Sequence, residues 1–290
     1  MIPKFVSMTP IEKGWSGDRK YKAVDEQGKA YLLRISPLEK QAMRERLYSI
    51  MKRLPAKLSI SHALDLEVRA DGVYTTFTWV DGQDAEEVIP TLSSEMQYQL
   101  GYSAGVLLRQ IHHIPSPADL EPWEVRFGRK IDRKIEQYRK CPLSYPDGDR
   151  ILAFVEENRH LIQDRPQCFQ HGDYHIGNMM IEEGKVIVID FDRCDYGDPW
   201  EEFNRIVWCA QAAPAFAAGQ LDGYFDGRPP EAFFRLLALY IAVNTLSSLP
   251  WAMPFGQEQI DVFLAQEREI RVWYDRFDRV IPNWYDEVSR

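Results

Sequence analysis

Apolar and polar positions alternate in short runs over roughly the first eighty residues and then shift to a helical period. Lys20 to Val24 and Lys29 to Ile35 read as two strands. Asp25-Glu26-Gln27-Gly28 joins them as a hairpin turn. Leu64 to Arg69 and Val73 to Val80 form a second pair, turned at Ala70-Asp71-Gly72. Between the pairs, Ser36-Pro37-Leu38-Glu39 has the form of a helix start: a Ser cap, Pro at the first helical position and Glu closing a capping box. The helix that follows carries an apolar stripe of Met43, Leu47, Ile50, Met51 and Leu54.

The remainder reads as mainly helical. Glu95 to Ile111 sets Leu100, Ala104, Leu107, Leu108 and Ile111 on one face and stops before Pro115. Trp123 to Lys140 and Asp149 to Gln163 are further helices, and the basic run of the first reads as a solvated face. Three more are expected over 199–212, 230–246 and 257–277, with Pro250 and Pro254 separating the last two. The fold class is therefore α+β: a small antiparallel sheet with one helix over residues 1–81, then a larger helical part over 82–290.

Composition narrows the function classes. The chain has 290 residues and a net charge of −9. That balance argues against sequence-independent nucleic-acid binding, which relies on Lys and Arg to neutralise phosphates. Four cysteines without a C-x-x-C pair suit neither a disulfide framework nor zinc, and read as reduced thiols of a cytoplasmic protein. The start MIPKFVSMTPIEKG lacks the form of a signal peptide, and no stretch is expected to span a membrane. His112 and His113 diverge on a helix and read as structural.

The stretch Cys168 to Glu202 carries the chemistry. It holds His171-Gly172-Asp173, Asn178, and the apolar run Val186 to Ile189 ending in Asp190. Phosphoryl transfer needs a carboxylate to orient the attacking hydroxyl and take its proton. It also needs hard oxygen ligands for Mg²⁺, and one carboxylate, one amide oxygen and the nucleotide's phosphates suffice. Asp173 suits the base, and Asn178 and Asp190 suit the metal. Protein kinases space an Asp and an Asn likewise, five residues apart, ahead of a metal-binding Asp.

The pattern HGDYHIGN…IDF, with DYGDPWEEF after it, resembles the aminoglycoside phosphotransferase family, small-molecule kinases with a two-lobed protein-kinase-like fold. The resemblance implies ATP or GTP as phosphoryl donor, Mg²⁺, and a hydroxyl of a small-molecule acceptor, with aminoglycosides and antibiotic resistance suggested by the family's name. It implies that the loop Lys13 to Asp18, with Ser16, covers the phosphates, and that backbone groups of Thr78 and Val80 meet the adenine. The strand cation is usually Lys, and the matching residue here, Arg34, is a departure that is permanently charged and can bind phosphate bidentately, or is simply an exposed strand Arg. No Glu on the following helix can be assigned to pair with it: Glu45 lies opposite the apolar stripe, and Glu39 is taken as a cap.

Asp195, Asp198, Glu201 and Glu202 crowd behind Asp190 and Asp192. Under the resemblance they form an acidic wall for a polycationic acceptor, with Asp195 the first choice for a contact. Asp198, Glu201 and Glu202 equally suit a helix start. His175 suits a brace for the loop or a phosphate contact. Kinases of the same motif class act on choline, homoserine, sugars or macrolides, and a nucleotide-binding module without catalysis is a further alternative.

Overall fold

The computed structural model describes residues 2–12 and 17–288. The chain opens with β1 (Phe5–Pro10), β2 (Arg19–Asp25) and β3 (Ala30–Ser36), then α1 (Gln41–Met51), β4 (Ala63–Arg69), β5 (Gly72–Thr78), the two-residue β6 (Gln83–Asp84) and the short α2 (Ala85–Val88). Helices α3 (Ser94–Ile111), α4 (Trp123–Lys140) and α5 (Gly148–Asn158) follow. Next come β7 (Cys168–Gln170), β8 (Met179–Glu182), β9 (Lys185–Val188) and β10 (Asp195–Gly197). The chain closes with α6 (Ile206–Ala212), α7 (Pro214–Phe225), α8 (Glu231–Ala252), α9 (Gln257–Trp273) and α10 (Asn283–Val288).

Contacts divide the chain into two compact units. The first is Met1–Ala85 with Asn178–Cys194; the second is Glu86–Gly177 with Asp195–Arg290. A single cut at Asp81, drawn from sequence, thus becomes a division into four segments. Its cause is pairing: β6 adds to the β8–β9 hairpin, and Ile60 bridges Val188, which ties 178–194 to the first unit.

In the first unit five antiparallel strands run in the order β1-β2-β3-β5-β4. Asp25 builds the β2–β3 turn, its Oδ1 accepting from the N–H of Gln27 and of Lys29, while Gly28 takes φ +80°. The expected capping box does not form. Ser36 ends β3, and its Oγ accepts from Arg44 Nε at 2.9 Å. A 3₁₀ turn over Leu38–Lys40 precedes α1. The buried face of α1 is Arg44, Leu47, Ile50 and Met51, and Met43 is exposed. An arginine therefore occupies the position that the apolar stripe gave to methionine.

The second unit is built on helix packing. α3 and α7 meet almost backbone to backbone. A Cβ added at Gly101 or Gly105 would lie 2.0 or 2.1 Å from the carbonyl oxygen of Phe216 or Gln220. Gly219 and Gly223 face Tyr98 and Tyr102 as tightly, at 2.1 and 2.0 Å. Tyr98 and Tyr102 then reach along α7 to Asp222 and Asp226.

α8 runs through Pro250 to Ala252, where a break had been expected, and fifteen of its residues are buried. Glu231–Phe255 is also long and apolar enough to cross a membrane, against the expectation that no stretch would be. Its most apolar window is 78% buried within the protein, as for a core helix. The four cysteines are free thiols.

Candidate active site

The β8–β9 hairpin positions two of the expected metal ligands. Met179 pairs with Val188, and Ile189 N donates to Asn178 O at 3.0 Å. Asn178 and Asp190 therefore flank the same end of the ladder. Asp190 takes φ +61°, a left-handed conformation that Asp tolerates better than most residues. Asp190 and Asn178 offer a carboxylate and an amide oxygen, the hard donors that suit Mg²⁺ completed by phosphate and water. Among the described residues no cluster of three or more His, Cys, Asp and Glu competes as a metal site.

Asp190 belongs to a buried charge network. Arg34 on β3 reaches Asp190 Oδ1 at 3.2 Å and also bonds Asp192. Lys20, directly across the sheet from Arg34 on β2, reaches Asp190 Oδ2 at 3.4 Å. Arg44 on α1 bonds Asp192 Oδ1 at 2.7 Å and Asp18. Asp18 accepts from Lys40 at 2.8 Å and lies 3.8 Å from Arg34 Nε. The side chains of Arg34, Arg44 and Asp18 are at most 3% exposed.

This network explains the missing helix Glu. The inward position of α1 is the cation Arg44, and the carboxylates that bond Arg34 are Asp190 and Asp192, with Asp18 ahead of β2 at 3.8 Å. Burial works to raise the Asp18 pKa, but Lys40, Arg44 and Arg34 together hold it below its usual range. Burial first, then the Arg34 guanidinium, pulls the Lys20 pKa down. The sequence did carry a signal for Arg44, since it lies three residues before Leu47 on the buried face of α1.

The expected adenine contacts divide. Thr78 N donates to His62 O at 2.9 Å, and Thr78 O accepts from Ser61 Oγ at 3.0 Å, so both backbone groups are engaged. Among the described residues no hydrogen bond engages the Val80 backbone. Ser16 lies outside the described residues.

In the second unit, Asp173 follows β7 in a tightly braced loop. Gly172 sits at φ +82°, where a side chain is strained. Its N–H donates to Glu202 Oε1 at 2.9 Å and Oε2 at 3.2 Å. Asp173 N donates to His171 Nδ1 at 3.2 Å, and Tyr174 OH donates to Ala104 O at 2.7 Å. His175 Nδ1 accepts from Gly177 N at 3.1 Å, the loop-bracing bond, and its Nε2 lies 3.8 Å from Asp173 Oδ2. Arg205 Nε lies 3.2 Å from Asp173 Oδ1. His112 Nδ1 meets the Tyr224 hydroxyl at 2.9 Å and His113 Nδ1 the Arg109 carbonyl at 2.7 Å.

The four acids expected to face an acceptor are engaged by the protein itself. Asp195 is paired with Arg126 at 3.2 Å. Asp198, with no side-chain exposure, takes two bonds from Arg165, one from the Tyr240 hydroxyl and one from the Trp200 N–H. Glu201 is bonded to Lys130 at 2.8 Å and to Gln170 Nε2 at 3.3 Å. Glu202 is the acceptor for Gly172. Burial works to raise the Glu201 pKa, but Lys130, Lys134 and Arg205 outweigh it and hold it low. The inner basic residues of α4, Arg126 and Lys130, are therefore ion-pair partners and not a solvated face.

A family model described as the phosphotransferase enzyme family (APH) matches residues 7–234. No curated protein matches. Among solved structures, aminoglycoside phosphotransferase APH(4)-Ia in a ternary complex with AMP-PNP and hygromycin B is similar at TM-score 0.68 and 18% identity, over 92% of this chain and 93% of that one. A choline/ethanolamine kinase family protein from Mesorhizobium loti gives 0.67 and 15%, over 95% and 92%. A macrolide 2'-phosphotransferase type I gives 0.63 and 17%, over 91% of each chain. The chain shares the kinase-like fold of these proteins.

Proposed function

The chain belongs to the phosphotransferase enzyme family, and from that premise we propose that it moves the γ-phosphoryl group of ATP or GTP to a hydroxyl of a small molecule. The observation that carries the reading is the placement of Asn178 and Asp190 at the same end of the β8–β9 hairpin, where Ile189 N donates to Asn178 O. Together they would hold Mg²⁺, whose charge offsets that of the phosphates. Arg34 and Lys20 bind phosphate oxygens, Arg34 through its planar fork. The Val80 backbone meets the base.

Asp173 accepts the hydrogen bond of the acceptor hydroxyl and takes its proton. The acceptor oxygen bonds to the γ-phosphorus as the bond from that phosphorus to the bridging oxygen breaks, and the nucleoside diphosphate leaves. The brace from Glu202 to Gly172 fixes the backbone beside this carboxylate.

An aminoglycoside-like acceptor has support from the relatives: APH(4)-Ia was solved with hygromycin B. The choline/ethanolamine and macrolide enzymes are similar at comparable identity, so likeness alone does not separate the acceptors. Asp195, Asp198, Glu201 and Glu202 all have partners within the fold, which favours a second reading in which the acceptor is not a polycation. The test of the shared chemistry is steady-state turnover of the Asp173→Ala protein with any acceptor that stimulates the wild type. A loss of about 10²–10⁴-fold in kcat is expected. Unchanged turnover removes Asp173 from the mechanism.

A further inference from the structure

The four acids are engaged within the fold, and among the described residues the bases Lys130, Lys134 and Arg205 gather around Glu201 and Asp173. Lys130 and Lys134 lie one turn apart on α4. Lys130 Nζ holds Glu201. Lys134 is half-buried, and its hydrogen-bond partner among the described residues is a neutral amide, Asn244 Oδ1 on α8, at 3.4 Å. An ammonium carries three donors, and a cation taken from water without an anion is costly. Arg205 leans on Asp173, and its buried Nε makes no well-directed hydrogen bond.

These groups share one region of the second unit. Lys130, Lys134 and Arg205 all act on Glu201. Burial first, then the repulsion of Lys130 with Arg205 and Arg133, draws the Lys134 pKa well down. Among the described residues, Lys130, Lys134 and Arg205 thus gather around Glu201, and Arg205 also reaches Asp173, which is assigned to the acceptor's proton.

We propose that Lys134, with Lys130 and Arg205, binds an oxyanion carried by the acceptor, so that the substrate is a hydroxy compound bearing a carboxylate or a phosphate. The inference rests on the phosphotransferase reading and gives its acceptor a charge. A polyamine would add to the repulsion that Lys130 and Arg205 already exert on Lys134, with every acid of the expected wall engaged within the fold. An oxyanion would give Lys134 a directly bonded anionic partner beside the neutral amide of Asn244 and leave the hydroxyl free for Asp173.

The test is a panel read two ways, by nucleotide turnover and by calorimetric binding without nucleotide. Glycerate and gluconate represent carboxylates, glycerol 3-phosphate and glucose 6-phosphate represent phosphates, and kanamycin, choline and glucose are the cationic and neutral arms. At least one anionic compound is expected to bind and to stimulate turnover, and its arm distinguishes carboxylate from phosphate. Lys134→Met should then raise that compound's KM roughly tenfold or more, the weight of a hydrogen bond to a charged group, with the KM for ATP unchanged. Lys134→Arg should retain binding.

An anionic compound that binds through Lys134 but is never phosphorylated sinks the transfer reading and upholds the anion site. The inference is overturned if no anionic compound binds or is turned over, if kanamycin or a neutral compound is the preferred acceptor, or if Lys134→Met shifts the KM for ATP instead.

Discussion

Asp18→Ala probes the charge network of the first unit. The Asp18 side chain has no exposure and is the carboxylate that Arg44 and Lys40 bond, with Arg34 Nε at 3.8 Å. Removing one partner of a buried pair costs about 3–5 kcal/mol, because the remaining charge is left without compensation. Arg44 and Arg34 both keep Asp192, so the lower end, about 3 kcal/mol, applies. Against a total stability of about 5–15 kcal/mol, the protein still folds but with a clear shift.

Denaturant unfolding followed by tryptophan fluorescence measures the loss. A double-mutant cycle with Arg44→Met then isolates the pair: the double mutant should be less destabilised than the two single losses added, since neither member of the pair is left facing the other's absence. A loss for Asp18→Ala below about 1 kcal/mol, the range of a surface ion pair, would refute the network as a buried structural element. Strict additivity in the cycle would refute the pairing itself.

Other predictions bear on acid stability, packing and the loop. The folded-state pKa of Asp18 lies below its ordinary 3.8. Its contribution is therefore full above that value and lost as pH falls through the folded pKa, and Asp18→Asn should flatten the decline of Tm below about pH 4. Gly105→Ala puts a methyl 2.1 Å from the Gln220 carbonyl oxygen, so α3 and α7 must separate. Overpacking of this kind costs about 1–3 kcal/mol or more, which chemical denaturation reads, whereas Gly128→Ala, with open space around it, should be neutral or stabilising. Glu202→Ala leaves the Gly172 N–H without its acceptor. It should lower kcat by up to about 100-fold through misplacement of Asp173 with nucleotide affinity unchanged, and Glu202→Gln, which keeps an acceptor oxygen, should restore much of it.

How far the sequence could be read follows from where partners lie. The spacing of Asp173, Asn178 and Asp190 is local, and so is the hairpin that sets Asn178 beside Asp190. The β2–β3 and β4–β5 pairs were legible from their Gly-containing turns, and α3 and α4 because each has one buried face. β1 was not, since it is an edge strand whose residues are nearly all exposed, and no alternation survives there. α7 was not, because its packing against α3 uses glycines and alanines and not a stripe of large apolar side chains.

Ser36 and Arg44 show the limit most clearly. The local pattern favoured a capping box, which is worth about 0.5–2 kcal/mol. A buried guanidinium that bonds Ser36, Asp18 and Asp192 outweighs it. The acidic wall shows the same limit: four carboxylates are visible in sequence, but Arg126, Lys130 and Arg165, tens of residues away, engage three of them. Pro250 costs α8 a backbone bond, and the burial of the helix around it carries the chain through.

The most direct measurement follows the label from γ-³²P-ATP and γ-³²P-GTP in the presence of Mg²⁺ and the acceptor panel, with the Asp173→Ala protein beside the wild type. The account predicts label on the acceptor, dependent on Mg²⁺ and reduced at least 10²-fold in the mutant, in keeping with general-base catalysis. Label that appears only as inorganic phosphate, or equal labelling by the two proteins, would contradict it.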